Sequence, residues 1–314
     1  MHTISVVSFA CTAIAMGVAA VVHTAPEPDP NAIELAAADA AAPPPIEPLH
    51  ATWLAGHVAP APAGEGRPAA AASPPPIEFA ASPTALPVWR DAGLASFALG
   101  CGVQPLAPPC DSDRDAVRRV LDGTTAFAVV AGPLHAGDGA DGAIASPVGV
   151  EIYALVVAAQ NPLPSLTRQQ VRHLLSREAP DWRELGANAG AMVVYVPREA
   201  DVAERATGVL MPGDRFSRAC IPLADADMPQ ALAQTNAIGV VRLRREPLPA
   251  TLRAVPIEWN PPTVDAWRMG AYAYGLQFAV VTAGAPQGAA ARLLARLRDA
   301  DGAAALAAAG LHGP

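Results

Sequence analysis

The sequence predicts an α/β fold, and three observations carry that prediction. Phe127 to Ala131 and Val148 to Ala159 are apolar runs of the kind shown by strands buried on both faces. Between such runs lie stretches with helical spacing and legible caps, the clearest at Thr167. The alternation of strand and helix continues from residue 77 to 314, a length that suits two lobes.

Taken in order, Ile77-Glu78-Phe79-Ala80-Ala81 reads as a short strand, followed by Ser82-Pro83-Thr84 and a helix through about Ala98. Ser112 or Asp111 caps a second helix with Val117, Val120 and Leu121 on one face, closing at Gly123. The strands Phe127 to Ala131 and Val148 to Ala159 come next. Thr167 then caps a helix in which Gln170 returns the capping bond and Leu166 staples onto Val171. Val171, Leu174 and Leu175 form its apolar stripe. Met192 to Val196 reads as a strand, and Asp201 to Leu210 and Met228 to Gln234 as helices. Ala237 to Arg242 and Leu252 to Ile257 are strands, Thr263 to Met269 a short helix, and Ala279 to Thr282 a strand. A long Ala/Leu helix from about Gln287 closes the chain.

The region before residue 77 has a different character. Ile4 to Val22 is an apolar run of about bilayer-spanning length, ending at His23-Thr24-Ala25. Residues 1–25 are therefore either a secretory signal peptide or an uncleaved membrane anchor, and both readings place the body outside the cytoplasm. Residues 26–76 are rich in Ala, Pro and acidic side chains, with too little apolar area to offset ordering, and read as a linker.

Composition excludes several chemistries. All 21 basic residues are Arg, so a phosphate-loop Lys, a Schiff-base Lys and a lysine nucleophile are absent. A net charge of -8 argues against a nucleic-acid partner. Nucleophile elbow, zinc-hydrolase and dinucleotide-loop motifs are missing, so the chain offers no catalytic residue and no cofactor motif. Scattered His and Cys give no metal site, and Asp138 to Gly142 lacks the later ligands of a calcium loop. Cys101 and Cys110 flank a Pro-rich loop and are spaced to close a small ring in an oxidising compartment, leaving Cys220 as a buried thiol. Trp182, Trp259 and Trp267 read as packing residues, and Tyr272 and Tyr274 as core or cleft aromatics.

Ser165-Leu166-Thr167-Arg168-Gln169-Gln170, then Asp181-Trp182-Arg183-Glu184-Leu185-Gly186, resembles the phosphate-binding type of periplasmic solute-binding protein that serves bacterial ABC importers. The resemblance continues through Pro197-Arg198-Glu199, Asn236 to Val241, Gly270-Ala271-Tyr272 and Ala308 to Leu311, and covers about residues 77–314. It implies a two-lobed type II periplasmic-binding fold, each lobe a mostly parallel sheet flanked by helices. Lobe one would be roughly 77–157 with 253–314 and lobe two 158–252. It also implies a small solute, such as an oxyanion, held between the lobes for import or sensing, with an ABC permease or envelope protein as partner.

At the ligand positions the chain departs from the pattern. The strand-turn hydroxyls fall on Ser82 and Thr84, but Pro83 between them has no N–H to donate. The family's Ser-Asp falls on Ala131-Gly132. Arg198 and Arg205 are kept, while the Ser-Gly-Thr between them becomes Val202-Ala203-Glu204. Losing two charge-assisted hydrogen bonds costs about two to four decades of affinity. The implied ligand residues are thus Arg198, Ser82, Thr84 and Arg205. The rival expectation is a degenerate scaffold domain that has lost solute binding and contacts other envelope proteins.

Overall fold

Ile77–Ala81 forms the expected first strand, β1, with Phe79 to Ala81 buried. The computed structural model describes residues 75–106, 109–134, 137–139, 141–177, 181–186 and 190–313. The 1–25 segment and all but the last two residues of the 26–76 stretch lie outside the described residues. From β1 the chain runs through α1 (Leu86–Trp89), α2 (Ala92–Gly100), β2 (Val103–Pro105), α3 (Asp113–Leu121), β3 (Ala128–Ala131) and β4 (Ala143–Ala158). It continues with α4 (Arg168–Ser176), β5 (Val193–Pro197), α5 (Ala200–Leu210), β6 (Ile221–Leu223), α6 (Met228–Leu232), β7 (Ala237–Leu243) and β8 (Leu252–Ala254). The last elements are α7 (Val264–Arg268), β9 (Gly275–Ala283), α8 (Gly288–Leu297) and α9 (Ala300–Ala308).

One sheet runs in the order β2-β1-β3-β9-β4-β7-β5-β6, with β8 added beside β4. The outer strands pair in parallel: β1 with β2 and β3, and β5 with β6 and β7. The central ones pair antiparallel: β9 with β3 and β4, and β4 with β7 and β8. β4 is the shared spine. Its Ala143 to Ile152 stretch pairs β9, and from Ile152 to Val157 it pairs β7 on the other edge. The two halves of the domain are thus parts of one continuous sheet, parallel at its ends and antiparallel along its middle.

Helices cover both faces. Around the first half, residues of α1, α2, α8 and α9 share a core with Phe79, Phe127 and Phe278, and α3 packs a smaller cluster on the opposite side. In the second half, α4 and α5 close the largest cluster over Tyr153, Leu155 and Val157, while α6 covers Ala154 and Val156. The alternation along the second half of β4 sends successive side chains to opposite helical layers, which is why Ile152 to Ala158 is apolar throughout.

The Thr167 capping box is present. Gln170 N–H donates to Thr167 Oγ1 at 3.1 Å, and Gln170 Oε1 accepts from Thr167 N–H at 2.8 Å. Two expected helices are instead broken. Asp91 caps α2 by accepting from Gly93 N–H at 3.0 Å, which splits the helix expected through Ala98. Asp299 caps α9 through Gly302 N–H at 2.9 Å and splits the terminal helix. A short polar side chain competing for the backbone starts a new helix in each case. β4 starts at Ala143, five residues before the expected strand, because β9 is itself longer than expected and supplies partners up to Ala283.

The ring between Cys101 and Cys110 does not form; both are free thiols. Cys101 packs against the α8–α9 side of the sheet and Cys110 belongs to the α3 side. Cys220 is buried as expected, donating to Leu175 O at 3.7 Å, and burial pushes its thiol up to about 11. Trp259 is not a packing residue. It is 75% exposed on a two-residue turn in which Ile257 and Asn260 exchange backbone bonds of 2.9 Å. Glu258 and Trp259 both have positive φ (51° and 68°), a conformation unfavourable for side chains of this size.

Candidate functional site

In open α/β sheets the groups that meet a ligand stand beyond the carboxyl ends of the strands. β3 and the first half of β4 are both antiparallel to β9 and so run the same way, with β1 alongside. β5 and β7 run against the second half of β4. The carboxyl ends of β1 and β3 and those of β5 and β7 therefore converge from opposite directions on the middle of β4, around Val150 to Ile152.

A charged side chain sits at that convergence. Glu151 is fully buried, with 0% exposure. Its Oε2 accepts from Tyr153 Oη at 2.6 Å and Arg205 Nε at 2.9 Å; its Oε1 accepts from Arg205 Nη2 at 3.2 Å and Arg242 Nη1 at 3.1 Å. Arg205 comes from α5, itself buried, and its Nη1 reaches Asp201 one turn earlier at 3.0 Å. Arg242 comes from β7 and also donates to Ala309 O at 3.3 Å, the end of α9. Residues after α9 close the edge of β4: His312 and Val150 exchange two backbone bonds of 2.9 Å. Gly310 lies against the Arg242 guanidinium, so close that a Cβ there would stand 2.9 Å from Arg242 Cζ.

Burial opposes the Arg205 charge, yet the Glu151 carboxylate raises its pKa above the ordinary guanidinium value. Burial, and then the neighbouring carboxylate, push the Tyr153 hydroxyl far up; burial does the same to Tyr272, which donates to Tyr153 O at 2.7 Å. Both tyrosines are core residues.

The four positions singled out from the sequence fare differently. Ser82 is buried and its Oγ accepts from Ala85 N–H at 3.2 Å, a turn-capping bond ahead of α1. Thr84 is half-buried in the same turn, and its hydroxyl makes no hydrogen bond among the described residues. Arg205 is committed to Glu151 and Asp201. Arg198 follows β5 directly, exposed, with its backbone N–H bonded to Leu223 O at 3.0 Å. Its guanidinium has no ion-pair or hydrogen-bond partner among the described residues. Glu199 caps nothing with its side chain, and Asp201 has turned to Arg205 instead.

Beside the β4 crossing lies a groove of about 450 Å³ lined by Pro147, Gly149, Val150, Trp267, Arg268 and Gln277 among others. The Trp267 ring packs close against Gly275, where a Cβ would meet it at 2.4 Å. None of the four sequence-derived positions lines this groove. Among the described residues no group of three or more His, Cys, Asp or Glu is placed to hold a metal ion.

Residues 62–308 match the PBP superfamily domain. The chain belongs to that family. Solved structures share the fold of this PBP superfamily chain at low identity. PstS from Borrelia burgdorferi is 12% identical with a TM-score of 0.61, covering 76% of this chain and 99% of that one. An ABC-type phosphate transport receptor from Vibrio cholerae is 14% identical with a TM-score of 0.57, covering 76% and 100%. A possible phosphate-binding protein from Planctomyces limnophilus is 14% identical with a TM-score of 0.60, covering 76% and 92%. No curated protein matches.

Sequence reasoning missed Glu151, Tyr153 and Arg242 as members of the central cluster. The signal to be had was the single carboxylate in the run Val148 to Ala159 of this PBP superfamily chain, since a charge in a buried strand has to find a partner. The two phenols give a pH prediction. Their folded pKa values lie above the unfolded value near 10, so they favour the folded state below that pH and this contribution is lost as pH rises past it. In an alkaline titration, phenolate absorbance from Tyr153 and Tyr272 should rise only together with loss of the far-ultraviolet dichroism. All 4 tyrosines titrating with the fold intact would refute the assignment.

Proposed function

We propose that this domain is an exported, non-catalytic solute receptor for import or sensing, with Arg198 as its contact for a small anionic solute. The observation that carries the reading is the unpaired, exposed guanidinium of Arg198 between the end of β5 and the amino terminus of α5. The backbone N–H groups there and the helix dipole favour negative charge beside it. Thr84, in the turn that follows β1, offers a free hydroxyl from the opposing set of strand ends. Export is supported by the apolar run from Ile4 to Val22, which leaves the domain either released or tethered through the 26–76 linker. An ABC permease or a sensor is the partner such a receptor serves.

A second reading has its own observation. The Ser82 hydroxyl is engaged in a turn and Arg205 in an ion pair, which leaves fewer donors for an anion and favours a scaffold domain that contacts envelope proteins.

Calorimetry of the full chain with phosphate, sulfate, molybdate and small organic acids separates them. The receptor reading expects saturable heat from at least one, weakened about tenfold or more in Arg198→Ala, the loss of one charge-assisted contact. Heat that survives Arg198→Ala but disappears in Trp267→Ala places the solute in the groove beside β4 and removes Arg198 from the site. Silence from every solute favours the scaffold.

A further inference from the structure

We propose that the Glu151 carboxylate is a resident ligand: from within the chain it fills a set of donors suited to a free carboxylate or other small oxyanion. The inference stands on the central cluster alone and does not depend on Arg198.

Each Glu151 oxygen accepts two hydrogen bonds, from a phenol and three guanidinium nitrogens of two arginines. Arg205 approaches as a fork through Nε and Nη2, the bidentate geometry with which arginine grips a planar carboxylate or a phosphate. One such arginine would neutralise Glu151. The second, Arg242, is nearly buried as well, 11% exposed. It keeps a buried Nε with no acceptor and reaches Asp225 only at 3.8 Å. Asp201 takes the remaining Nη1 of Arg205. Donors around the carboxylate thus outnumber what an ion pair needs, and the donor atoms come from three separate elements, β4, α5 and β7. The cluster also lies where the strand ends of both halves converge, the place at which a fold of this kind presents donors to a ligand. The ligand held there is covalently part of β4.

The wild-type domain accordingly admits no free oxyanion between Arg205 and Arg242. Shortening residue 151 leaves both guanidiniums and the Tyr153 hydroxyl around a space the size of acetate, and a small carboxylate from solution takes the place of the lost side chain.

The test is unfolding of full-length Glu151→Ala in formate or acetate against chloride at equal ionic strength, with wild type alongside. Sulfate and phosphate stabilise many proteins through exclusion from the surface, so the carboxylates carry the readout. The unfolding midpoint of Glu151→Ala should rise saturably with formate or acetate while wild type responds no more than to chloride. At a hundred times the dissociation constant the folding equilibrium should shift about a hundredfold. Adding Arg205→Met should remove the effect, and adding Arg198→Ala should leave it intact. If Glu151→Ala does not fold alone, it is refolded from denaturant in each salt, and recovery in the carboxylates but not in chloride supports the proposal. A folded variant that responds no more than wild type, an unfolded one that neither salt recovers, or a response that survives Arg205→Met overturns it and leaves an ordinary ion pair.

Discussion

Replacing Arg205 by Met should destabilise the domain by about 3 kcal/mol or more, among the largest effects expected from removing one charged side chain here. Glu151 has no exposure, and without Arg205 it loses two of its four hydrogen bonds and its bidentate partner. Arg242 and Tyr153 remain in place, which sets the expectation near the lower end of the range of about 3–5 kcal/mol for breaking a buried pair. The cost is that of an undercompensated buried charge, so it should shrink when the charge is removed as well. Arg205→Met with Glu151→Gln should recover most of the loss, since the amide oxygen of the new side chain can still accept from Tyr153. A contrast within the same protein fixes the scale. The pair of Arg172 and Asp214 is about half exposed on both sides, and Arg172→Met should change stability by less than about 1 kcal/mol. Urea unfolding of these variants gives the coupling directly, provided the slope with denaturant stays constant. An Arg205→Met domain within about 1 kcal/mol of wild type would mean that solvent reaches Glu151, contrary to its burial here.

The same cluster shows why the fold was more legible than the site. What the sequence displays is local: the Thr167–Gln170 capping box spans three residues, and the run Val148 to Ala159 records burial on both faces of one strand. Short edge strands leave no such trace. β2 is Val-Gln-Pro and β6 is Ile-Pro-Leu, too short for alternation and each carrying a proline that argues against a ladder. The helix breaks at Asp91 and Asp299 could have been read from an aspartate with a glycine two or three residues on, but the Ala-rich surroundings favour one continuous helix. Site geometry is non-local. Arg205 was placed correctly on a helix, but its partner stands 54 residues earlier in a strand, and no spacing rule connects them. The place of Arg198 in the fold, though not its role, is legible because its environment is local, a strand end followed by a helix start. The exposed Trp259 was not, because the turn that presents it uses Glu and Trp where Asn-Gly would announce it.

Gly302→Ala should be the most damaging single-methyl substitution in the domain's helices, at about 3 kcal/mol, the upper end of ordinary overpacking. Gly302 is buried in the first turn of α9, close to the tight corner with α8. A Cβ there would lie 2.2 Å from Arg296 O and 2.5 Å from Leu297 Cα. Those are backbone atoms at the end of α8, which no change of rotamer can move. Relief requires α9 to shift away from α8. That shift opens the core around Leu297 and Leu306, both no more than 2% exposed. It also drags the end of the helix, where Ala309 O accepts from Arg242 and Gly310 lies against its guanidinium. Gly208 supplies the opposite sign. It sits in the interior of α5 with nothing within 4 Å of the position a methyl would take, so Gly208→Ala should stabilise the domain by about 0.5–1 kcal/mol through helix propensity. Thermal unfolding of the two variants thus separates two roles of one residue type, close approach in α9 and mere backbone freedom in α5. A Gly302→Ala domain as stable as wild type would show that α8 and α9 are not in the contact on which this corner depends.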